Sequence, residues 1–363
     1  MGASLHQGIT ISQAQIPTEF PTTRYQGSKS KLVDWIWSQL ADIEFHTCLD
    51  AFGGTGVVAH HLKRMGKCVT YNDALTFNTL IAHGLIENEA EHLSEADIEW
   101  LLSQHESIIY PHFVRDTFDG IYFTTDENAW IDQTITNIRA LTPSVAGWSY
   151  RQSLAFFALC QACISKRPYN LFHRRNLYLR FAPVARSFGN KTSWDRPFDD
   201  AFRRYAAEAN RAVFSNGQSH HALCGDALDA PGNYDLVYID PPYVPERGQA
   251  VDYRGFYHFL EGLAQYDAWA DTVDLTSKHR RLRPQPSPWI DRRCVAAEFD
   301  RLFQRFRDST LVVSYRSDGV PNEAELTALL GRYKRSVRVA HYGRYQYALS
   351  TNGRSGEMLL MGV

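Results

Sequence analysis

The sequence has no long apolar run, too few cysteines for a disulfide framework, and no predominance of one charge. Its longest uncharged apolar stretch, Gln152–Ser165, is shorter than the roughly 20 residues that a membrane-spanning helix needs. The first twenty residues show neither a basic start nor an apolar centre, so we expect no signal peptide. Six cysteines in 363 residues favour a reducing compartment. These absences predict a cytoplasmic protein without a membrane segment.

The near balance of 38 basic and 40 acidic residues conceals a segregation of charge along the chain. Residues 81–132 contain 12 acidic residues and one basic residue. Residues 164–212 contain 11 basic and 4 acidic residues, and residues 278–307 contain 9 basic and 3 acidic ones. Both basic segments are interleaved with aromatic residues and prolines. They are either solvated surface or sites of phosphate contact with stacking faces.

The remaining composition, 44% hydrophobic and 21% charged, is typical of a globular protein, and the length suggests about two domains. Short runs rich in β-branched or aromatic residues predict six strands: Thr47–Phe52, Cys68–Asn72, Tyr234–Ile239, Leu311–Tyr315, Val337–His341 and Glu357–Met361. Helical patterns follow two of these runs, at Gly56–Lys63 and Glu323–Leu330. Alternating strands and helices indicate an α/β fold with a parallel sheet, which binds ligands at the carboxyl ends of its strands.

Three stretches depart from this alternation. Residues 77–219 have mainly helical patterns, residues 244–288 are predicted to be a loop, and the polar first 20 residues are predicted to be disordered. We therefore expect one α/β domain that is interrupted by a large helical insertion and by a smaller loop.

A glycine-rich turn follows the first predicted strand and opens a helix. Gly53, Gly54 and Gly56 let a ligand approach the backbone, and Asp73 ends the next strand, where it can accept from ribose hydroxyls. This layout predicts a nucleotide-like cofactor without saying which one, whereas a tight connection alone is the structural alternative. Asp50, just before the turn, either contacts the ligand or caps the strand end.

A second motif, Asp240-Pro241-Pro242-Tyr243, directly follows the buried-looking strand Tyr234–Ile239. The prolines fix the backbone and remove two donors, so that carbonyls stay free and the aspartate is held rigidly. Asp240 and a proline carbonyl suit the two hydrogens of an exocyclic amine on a flat heterocycle, and Tyr243 can stack on its ring. A flipped-out base requires this arrangement. The alternative is a proline-rich turn with Tyr243 packed on the surface.

With these motifs, the chain from Arg24 to Gly362 resembles the Dam-like class of adenine-specific DNA methyltransferases, which use S-adenosylmethionine. "RYQGSKSKL" is similar to the N-terminal cofactor segment of the class, although Tyr25 replaces a tryptophan and Ser28 a glycine. The resemblance implies cofactor contacts for the following residues: Tyr25, Gly27, Lys29 (near the cofactor's carboxylate), Phe52, Gly54, Gly56, Asp73 (at the ribose) and Asp226 (near the adenine). We also expect Asp50 and Asp240 to contact the cofactor. It gives the catalytic role to Asp240, Pro241, Pro242 and Tyr243.

The fold that this resemblance implies is a Rossmann-like, mostly parallel α/β sheet of the S-adenosylmethionine-dependent methyltransferase type, with a large, mainly helical insertion. The corresponding domain boundaries are a disordered terminus at 1–20, a catalytic domain at 21–76 and 220–363, a helical target-recognition insertion at 77–219, and an additional loop insertion at 244–300. The segment "KRPYNLFHRRN" resembles modification enzymes that are paired with a restriction nuclease, which makes such a nuclease an expected partner.

The expected reaction is direct transfer of the methyl group to N6 of a flipped-out adenine in double-stranded DNA. Basic residues of the two positive segments are the expected DNA contacts: Lys166, Arg167, Arg174, Arg175, Arg180, Arg281 and Arg283. Three alternatives stay open: an RNA adenine methyltransferase, an NAD-dependent oxidoreductase that uses the glycine turn, and a non-catalytic DNA-binding homologue. No metal is expected, because Cys160 and Cys163 have no partner pair at zinc-site spacing.

Overall fold

A computed structural model of the protein describes residues 18–141, 147–173, 181, 194–246, 250–344 and 356–363. In this part of the chain, seven strands form a single sheet: β1 Thr47–Asp50, β2 Cys68–Asp73, β3 His221–Cys224, β4 Leu236–Ile239, β5 Thr310–Arg316, β6 Val337–Arg344 and β7 Gly356–Gly362. The spatial order is β3-β2-β1-β4-β5-β7-β6. All neighbouring pairs are parallel except those that involve β7. The mostly parallel α/β fold is therefore confirmed.

The helices of the described residues fall into two groups. Those close to the sheet and its crossovers are α1 Val33–Gln39, α2 Val57–Arg64, α3 Thr76–Ala82, α12 Val295–Arg305 and α13 Glu323–Leu330. Those of the two interrupting regions are α4 Glu95–Leu102, α5 Phe113–Thr117, α6 Thr125–Ala140, α7 Tyr150–Ser165, α8 Phe198–Ala212, α9 Tyr253–Phe256, α10 His258–Ala264 and α11 Trp269–Thr272. None of the helices described has the length and apolarity needed to cross a bilayer.

Central strand β4 shows how the sheet separates two apolar layers. All four of its residues are buried, and their side chains alternate between the two faces. Leu236 and Tyr238 join the larger cluster, which includes the helical insertion, whereas Val237 and Ile239 join a smaller cluster with α12 and α13. The continuous apolar run "LVYI" is thus explained by helices on both faces.

Strand order reverses between β1 and β4. The chain runs outward from β1 to β2 and β3 on one side, and from β4 to β5 on the other. In open α/β sheets, ligands bind in the crevice that this reversal leaves at the carboxyl ends of the two strands. β1 ends at Asp50, and the Asp240 motif follows the end of β4. The topology therefore brings both predicted motifs to the same crevice.

All six predicted strands are present, with ends shifted by one to three residues, and the two predicted helices are α2 and α13. The sequence did not reveal β3, because this edge strand has only four residues and none of them is buried. Helices α4–α8 agree with the prediction of a mainly helical region, while its exact boundaries and its recognition role remain predictions.

Thr18 donates a hydrogen bond to the Arg211 carbonyl (2.9 Å), so the predicted disorder of the first 20 residues does not extend to residues 18–20. Residues 1–17 lie outside the described part.

The prediction of a loop over residues 244–288 is wrong for its central part. Helices α9–α11 lie there, and Phe259, Leu260 and Trp269 are fully buried in the larger cluster. Gly262 permits this packing, since a Cβ atom at that position would lie 2.0 Å from the Trp269 indole. The segment lacks a long periodic pattern because its helices span only four to seven residues, and tertiary contacts stabilise them.

Trp269→Ala tests this packing. Removing a fully buried indole is expected to lower the free energy of unfolding by about 3–5 kcal/mol. Leu275→Ala, in the same segment but at a side chain that is 58% exposed, should change it by less than about 0.5 kcal/mol. Urea unfolding followed by circular dichroism measures both values. Equal, small effects would contradict the buried position of the segment.

Candidate functional site

A cleft of about 1920 Å³ opens at the carboxyl ends of β1 and β4. Asp50, the Gly53–Gly54 turn and Asp73 line it from one side, and Asp240 and Tyr243 line it from the other. The carboxylate of the Asp240 motif and the glycine turn therefore share one continuous cavity. Small-molecule pockets commonly measure about 300–1,000 Å³, so this cleft has room for more than one ligand group.

The glycine turn needs its glycines for two physical reasons. A Cβ atom on Gly53 would lie 2.0 Å from the ring of Tyr71, so only glycine fits there. Gly54 and Gly56 have φ values of +51° and +80°, a left-handed conformation that other residues rarely adopt. The Tyr71 hydroxyl donates to the Gly54 carbonyl (2.7 Å), which fixes the turn. Backbone atoms consequently form this wall of the cleft, and α2 begins directly after Gly56.

Asp73 holds the turn from the end of β2. One of its carboxylate oxygens accepts from the Gly54 N–H (2.9 Å), and the other accepts from the Leu75 N–H (2.8 Å). Burial raises the pKa of Asp73 to about 6, against the lowering effect of these hydrogen bonds. A carboxylate has about four acceptor positions, so Asp73 can still accept from a ligand.

Asp50 is a buried acid whose charged form is only weakly compensated, by the Ala59 backbone and the Lys29 charge. Its side chain is at the end of β1, the residue is 1% exposed, and neither carboxylate oxygen receives a hydrogen bond of ordinary geometry from the described residues. Burial, and then the nearby charges of Asp240 and Asp73, raise the pKa of Asp50 to about 8. A buried acceptor that lines a cleft without a donor fits a ligand that supplies one.

Aromatic rings surround the N-terminal segment that resembles a cofactor motif. Tyr25 is stacked between Tyr257, at 4.4 Å between ring centroids, and Tyr253, at 5.6 Å. Gly27 has φ +84°, and a Cβ atom there would lie 2.4 Å from the Tyr253 hydroxyl oxygen. Tyr253 begins α9 and lines the cleft, and Tyr257 lies between α9 and α10; neither contact with Tyr25 was predicted from the sequence.

Two further predicted cofactor residues also line the cleft. Phe52 packs edge-on against Trp289, with 4.8 Å between the ring centroids. Asp226 is exposed and accepts a hydrogen bond from the Leu228 N–H (2.9 Å). Every predicted cofactor residue except Gly56 therefore faces this cavity, and Gly56 supports it from the start of α2.

The Asp240 motif forms an ion pair with Lys29, which the sequence analysis did not predict. The Lys29 ammonium lies 2.8 Å from Oδ1 and 2.7 Å from Oδ2 of Asp240, and it donates to the Tyr243 hydroxyl (2.6 Å). Lys29 is 5% exposed. The contact with a cofactor carboxylate that the resemblance implies for Lys29 remains a prediction. Pro242 also lines the cleft, whereas Pro241 is buried beside it.

A second buried carboxylate, Glu357, belongs to the same group. It lies on β7, is 1% exposed, accepts from the Tyr243 hydroxyl (2.7 Å) and approaches the Lys29 ammonium at 3.5 Å. Burial raises the pKa of Asp240 to about 6, Lys29 lowers it, and the charge of Glu357 raises it. A single acid within the apolar strand "GEMLLMG" was the one signal for this residue, because buried acids are rarely unpaired.

Two of the predicted DNA contacts, Lys166 and Arg167, are buried in the described structure, and their contact with DNA remains a prediction. Lys166 is 2% exposed, and its ammonium bonds the Glu127 carboxylate (2.9 Å) and the Trp194 carbonyl (2.9 Å). Arg167 is 3% exposed, and its guanidinium lies 4.4 Å from the ring centroid of Tyr122. Both cations thus have partners inside the protein.

Arg281 and Arg283 agree better with the prediction, since both are exposed and both line the cleft. Arg174, Arg175 and Arg180 lie outside the described residues. Part of the basic insertion is neutralised by the acidic segment, as Arg203 forms a two-point ion pair with Glu99 (2.8 and 3.0 Å). The charge segregation of the sequence therefore reflects internal pairing as well as surface.

An exposed aromatic residue that the sequence analysis did not select lies at the cleft. Tyr169 is 74% exposed, lines the cavity and has φ +57°, as does its neighbour Asn170 with φ +59°. Holding two non-glycine residues in this conformation costs free energy, which indicates that the surrounding structure imposes it. Across all described ranges, the cleft included, no group of three or more His, Cys, Asp or Glu side chains is arranged to hold a metal ion.

Comparison with known proteins agrees with this geometry. The family described as D12 class N6 adenine-specific DNA methyltransferase matches residues 25–280, well over half of the chain. The chain is 28% identical over 329 residues to type II methyltransferase M2.HphI of Haemophilus parahaemolyticus, covering 88% of this chain and 90% of the relative. It is 23% identical over 355 residues to type II methyltransferase M.CviAII of Paramecium bursaria Chlorella virus 1, covering 93% and 97%. The chain with the shared carboxylate and glycine-turn cleft thus belongs to the D12 class of N6 adenine-specific DNA methyltransferases.

Proposed function

We propose that the protein transfers a methyl group from S-adenosylmethionine to N6 of an adenine that is flipped out of duplex DNA. The observation that carries this proposal is the single cleft that joins Asp240 to the glycine turn. Methyl donor and acceptor must lie close together and in line for direct transfer, and one cavity lined by both motifs permits this. Its volume of about 1920 Å³ leaves space for a nucleoside-like cofactor and for a base.

The residues around the glycine turn fit S-adenosylmethionine. Gly53 and Gly54 leave space beside the backbone, Asp73 retains acceptor positions for ribose hydroxyls, and the unsatisfied Asp50 carboxylate suits a donor such as an amino group. Phe52 and Tyr25 offer aromatic surface. When bound, this cofactor supplies an electrophilic methyl group on a sulfonium centre.

Asp240 has the central role toward the base. The lone pair of adenine N6 is conjugated with the ring, which makes the amine a poor nucleophile. Hydrogen bonds from its two hydrogens to the Asp240 carboxylate and the Pro241 carbonyl favour a tetrahedral nitrogen and stabilise the positive charge that develops there. The Lys29 ammonium already bonds both oxygens of Asp240, and the Tyr243 hydroxyl lies 3.0 Å from Oδ1, so Oδ2 is the oxygen with a second acceptor position for the base.

Tyr243 is suited to stack on the flipped base. Its hydroxyl is fixed by Lys29 and Glu357, and its ring packs edge-on against Tyr315 at 5.2 Å. The ring is consequently held in one orientation beside Asp240. Stacking on an aromatic face is worth about 1–3 kcal/mol per base and tolerates any base, so base identity must be read by polar groups.

The mouth of the cleft is suited to DNA. Arg281 and Arg283 supply positive charge at its edge, and the exposed ring of Tyr169 offers a stacking face. Arg174, Arg175 and Arg180 belong to the same proposal on the basis of sequence alone. We further propose that the enzyme works in the cytoplasm beside a restriction nuclease that reads the same site, as the names of its type II relatives suggest.

The first test is methyl transfer by the purified protein. With labelled S-adenosylmethionine, we expect incorporation into duplex DNA from a host without adenine methylation, and N6-methyladenine in the digested product. Ribosomal RNA should take up no label. Labelling of RNA alone would favour an RNA methyltransferase, and stabilisation by NAD rather than S-adenosylhomocysteine in a melting assay would favour an oxidoreductase.

Asp240→Ala tests the catalytic assignment. Losing the acceptor of the amine hydrogens should lower kcat by about 10²- to 10³-fold or more, while S-adenosylhomocysteine binding measured by calorimetry stays within about threefold. Asp308→Ala, at a side chain that is 98% exposed, is the matched control and should keep full activity. Near-full activity of the Asp240 variant would overturn its role.

The pKa of Asp240 predicts an acid limit of activity. Because this carboxyl has a pKa of about 6, it is an ionised acceptor above pH 6 and becomes protonated below it. The value of kcat/KM should therefore fall as pH decreases through about 6. Initial rates between pH 5 and 8, with melting curves at each pH to exclude unfolding, measure this limit. A flat profile down to pH 5 would contradict it.

Asp50→Asn should raise the stability of the free protein at pH 8 and weaken its binding of S-adenosylmethionine. The folded-state pKa of about 8 exceeds the unfolded value near 4, so the free protein loses stability as pH rises toward 8 and Asp50 releases its proton. The variant should be more stable than the parent at pH 8 by roughly 1–3 kcal/mol, and less so at pH 6.5. It should bind S-adenosylmethionine about tenfold more weakly. Lower stability at pH 8 with unchanged binding would contradict the assignment.

A further inference from the structure

We propose that Glu357 is a positioning residue for methyl transfer, which acts through Tyr243 and Lys29 to keep the Asp240 carboxylate free to accept from the base. This inference rests on the proposed function. Glu357 does not line the cleft, so it cannot touch the substrate or the cofactor there. Its contacts nevertheless lead directly to the residues that do.

The Glu357 side chain is fixed by three contacts to one of its oxygens, Oε1. The Tyr243 hydroxyl donates to it at 2.7 Å, the Ser314 hydroxyl of the adjacent strand β5 donates to it, and the Lys29 ammonium lies 3.5 Å away. The residue is 1% exposed on β7 and pairs in register with Arg316 of β5. A buried carboxylate is costly unless it is compensated, so packing alone would favour an apolar residue at this position.

The hydroxyl of Tyr243 has a single proton and two carboxylates that compete for it. Its oxygen lies 2.7 Å from Oε1 of Glu357 and 3.0 Å from Oδ1 of Asp240, and it accepts from Lys29. Donation to the nearer carboxylate, that of Glu357, leaves the acceptor positions of Asp240 for the amine hydrogens. Without the charge of Glu357, the proton turns toward Asp240 and occupies a position that the base needs.

Lys29 is shared in the same way. Its ammonium bonds Asp240 directly and also faces Glu357, so the second carboxylate draws part of the positive charge away from the first. Replacing Glu357 by neutral glutamine leaves this charge to Asp240 alone. Asp240 then becomes a weaker acceptor and a stronger acid, because the negative charge that raises its pKa is gone.

The groups that face Asp240 determine what a pH profile reports. They include Lys29 from the segment before α1, Tyr243 from the turn after β4, Glu357 from β7, Asp50 from the end of β1 and Tyr238 from β4. Asp50 and Lys29 are unchanged in a Glu357 variant. A difference between the acid limits of the variant and the parent therefore reports Glu357 alone.

Glu357→Gln in the full-length protein is the test. We expect kcat on duplex DNA to fall about 10- to 100-fold, with KM for DNA and the affinity for S-adenosylhomocysteine within about twofold. The acid limit of kcat/KM should move to lower pH by roughly one unit. A structural role alone would lower the melting temperature without moving this limit. Unchanged kcat and an unchanged acid limit would overturn the inference.

Glu298→Gln is the matched control. Glu298 lies on α12, is 7% exposed and pairs with Arg301 (3.0 Å) rather than with any residue of the cleft. This variant should keep the parent kcat and acid limit. The activity of the parent protein tells a failure of the proposed function from a failure of the inference. If the parent is inactive, both are overturned. If the parent is active and the Glu357 variant is unaffected, the inference alone is overturned.

Tyr243→Phe alone covers the case in which Glu357→Gln folds poorly, and a double-mutant cycle is the test where Glu357→Gln folds. Tyr243→Phe removes the same hydrogen bond from the other end and keeps the ring for stacking. If Glu357 acts through the Tyr243 hydroxyl, the double variant should be no slower than the slower single variant, within about twofold. Tyr243→Phe with full kcat would also overturn the inference, as would multiplication of the two single effects in the double variant.

Discussion

The structure of the cleft depends on one ion pair, between the Lys29 ammonium and the Asp240 carboxylate. Strand order reverses between β1 and β4, and this topology brings acids from several strands into, or directly beside, one low-dielectric crevice. Asp50, Asp240 and Glu357 are all buried or nearly so. Among the described residues, Lys29 is the cation that bonds Asp240 and faces Glu357. Without it, the repulsion of these carboxylates would favour protonation or opening of the site.

Features of the cleft that serve binding and catalysis lower the stability of the folded protein. The unsatisfied Asp50 carboxylate and the left-handed backbone of Tyr169 and Asn170 each raise the free energy of the folded state. Both features lie at the cavity. Proteins commonly keep such costs at functional sites, because a ligand that supplies the missing partner recovers the free energy when it binds.

Local motifs made the glycine turn and the Asp240 motif predictable. Each combines a buried strand with residues whose backbone needs are specific, so position and role follow from a few consecutive residues. The sequence could not reveal Glu357 beside Tyr243, because 113 intervening residues separate them and only the sheet order joins β7 to β5 and β4. The burial of Lys166 and Arg167 could not be predicted either, since a basic run looks the same whether its cations face solvent or buried carboxylates and rings.

The most direct measurement is a crystal structure of the protein with S-adenosylhomocysteine and duplex DNA that contains its methylation site. We expect the cofactor beside Gly53 and Gly54, with a donor on Asp50. The flipped adenine should place its N6 within hydrogen-bond distance of Asp240, while Lys29 still contacts the same carboxylate. A cofactor bound outside this cleft, or an extruded base with its amine far from Asp240, would contradict the role that we assign to the site.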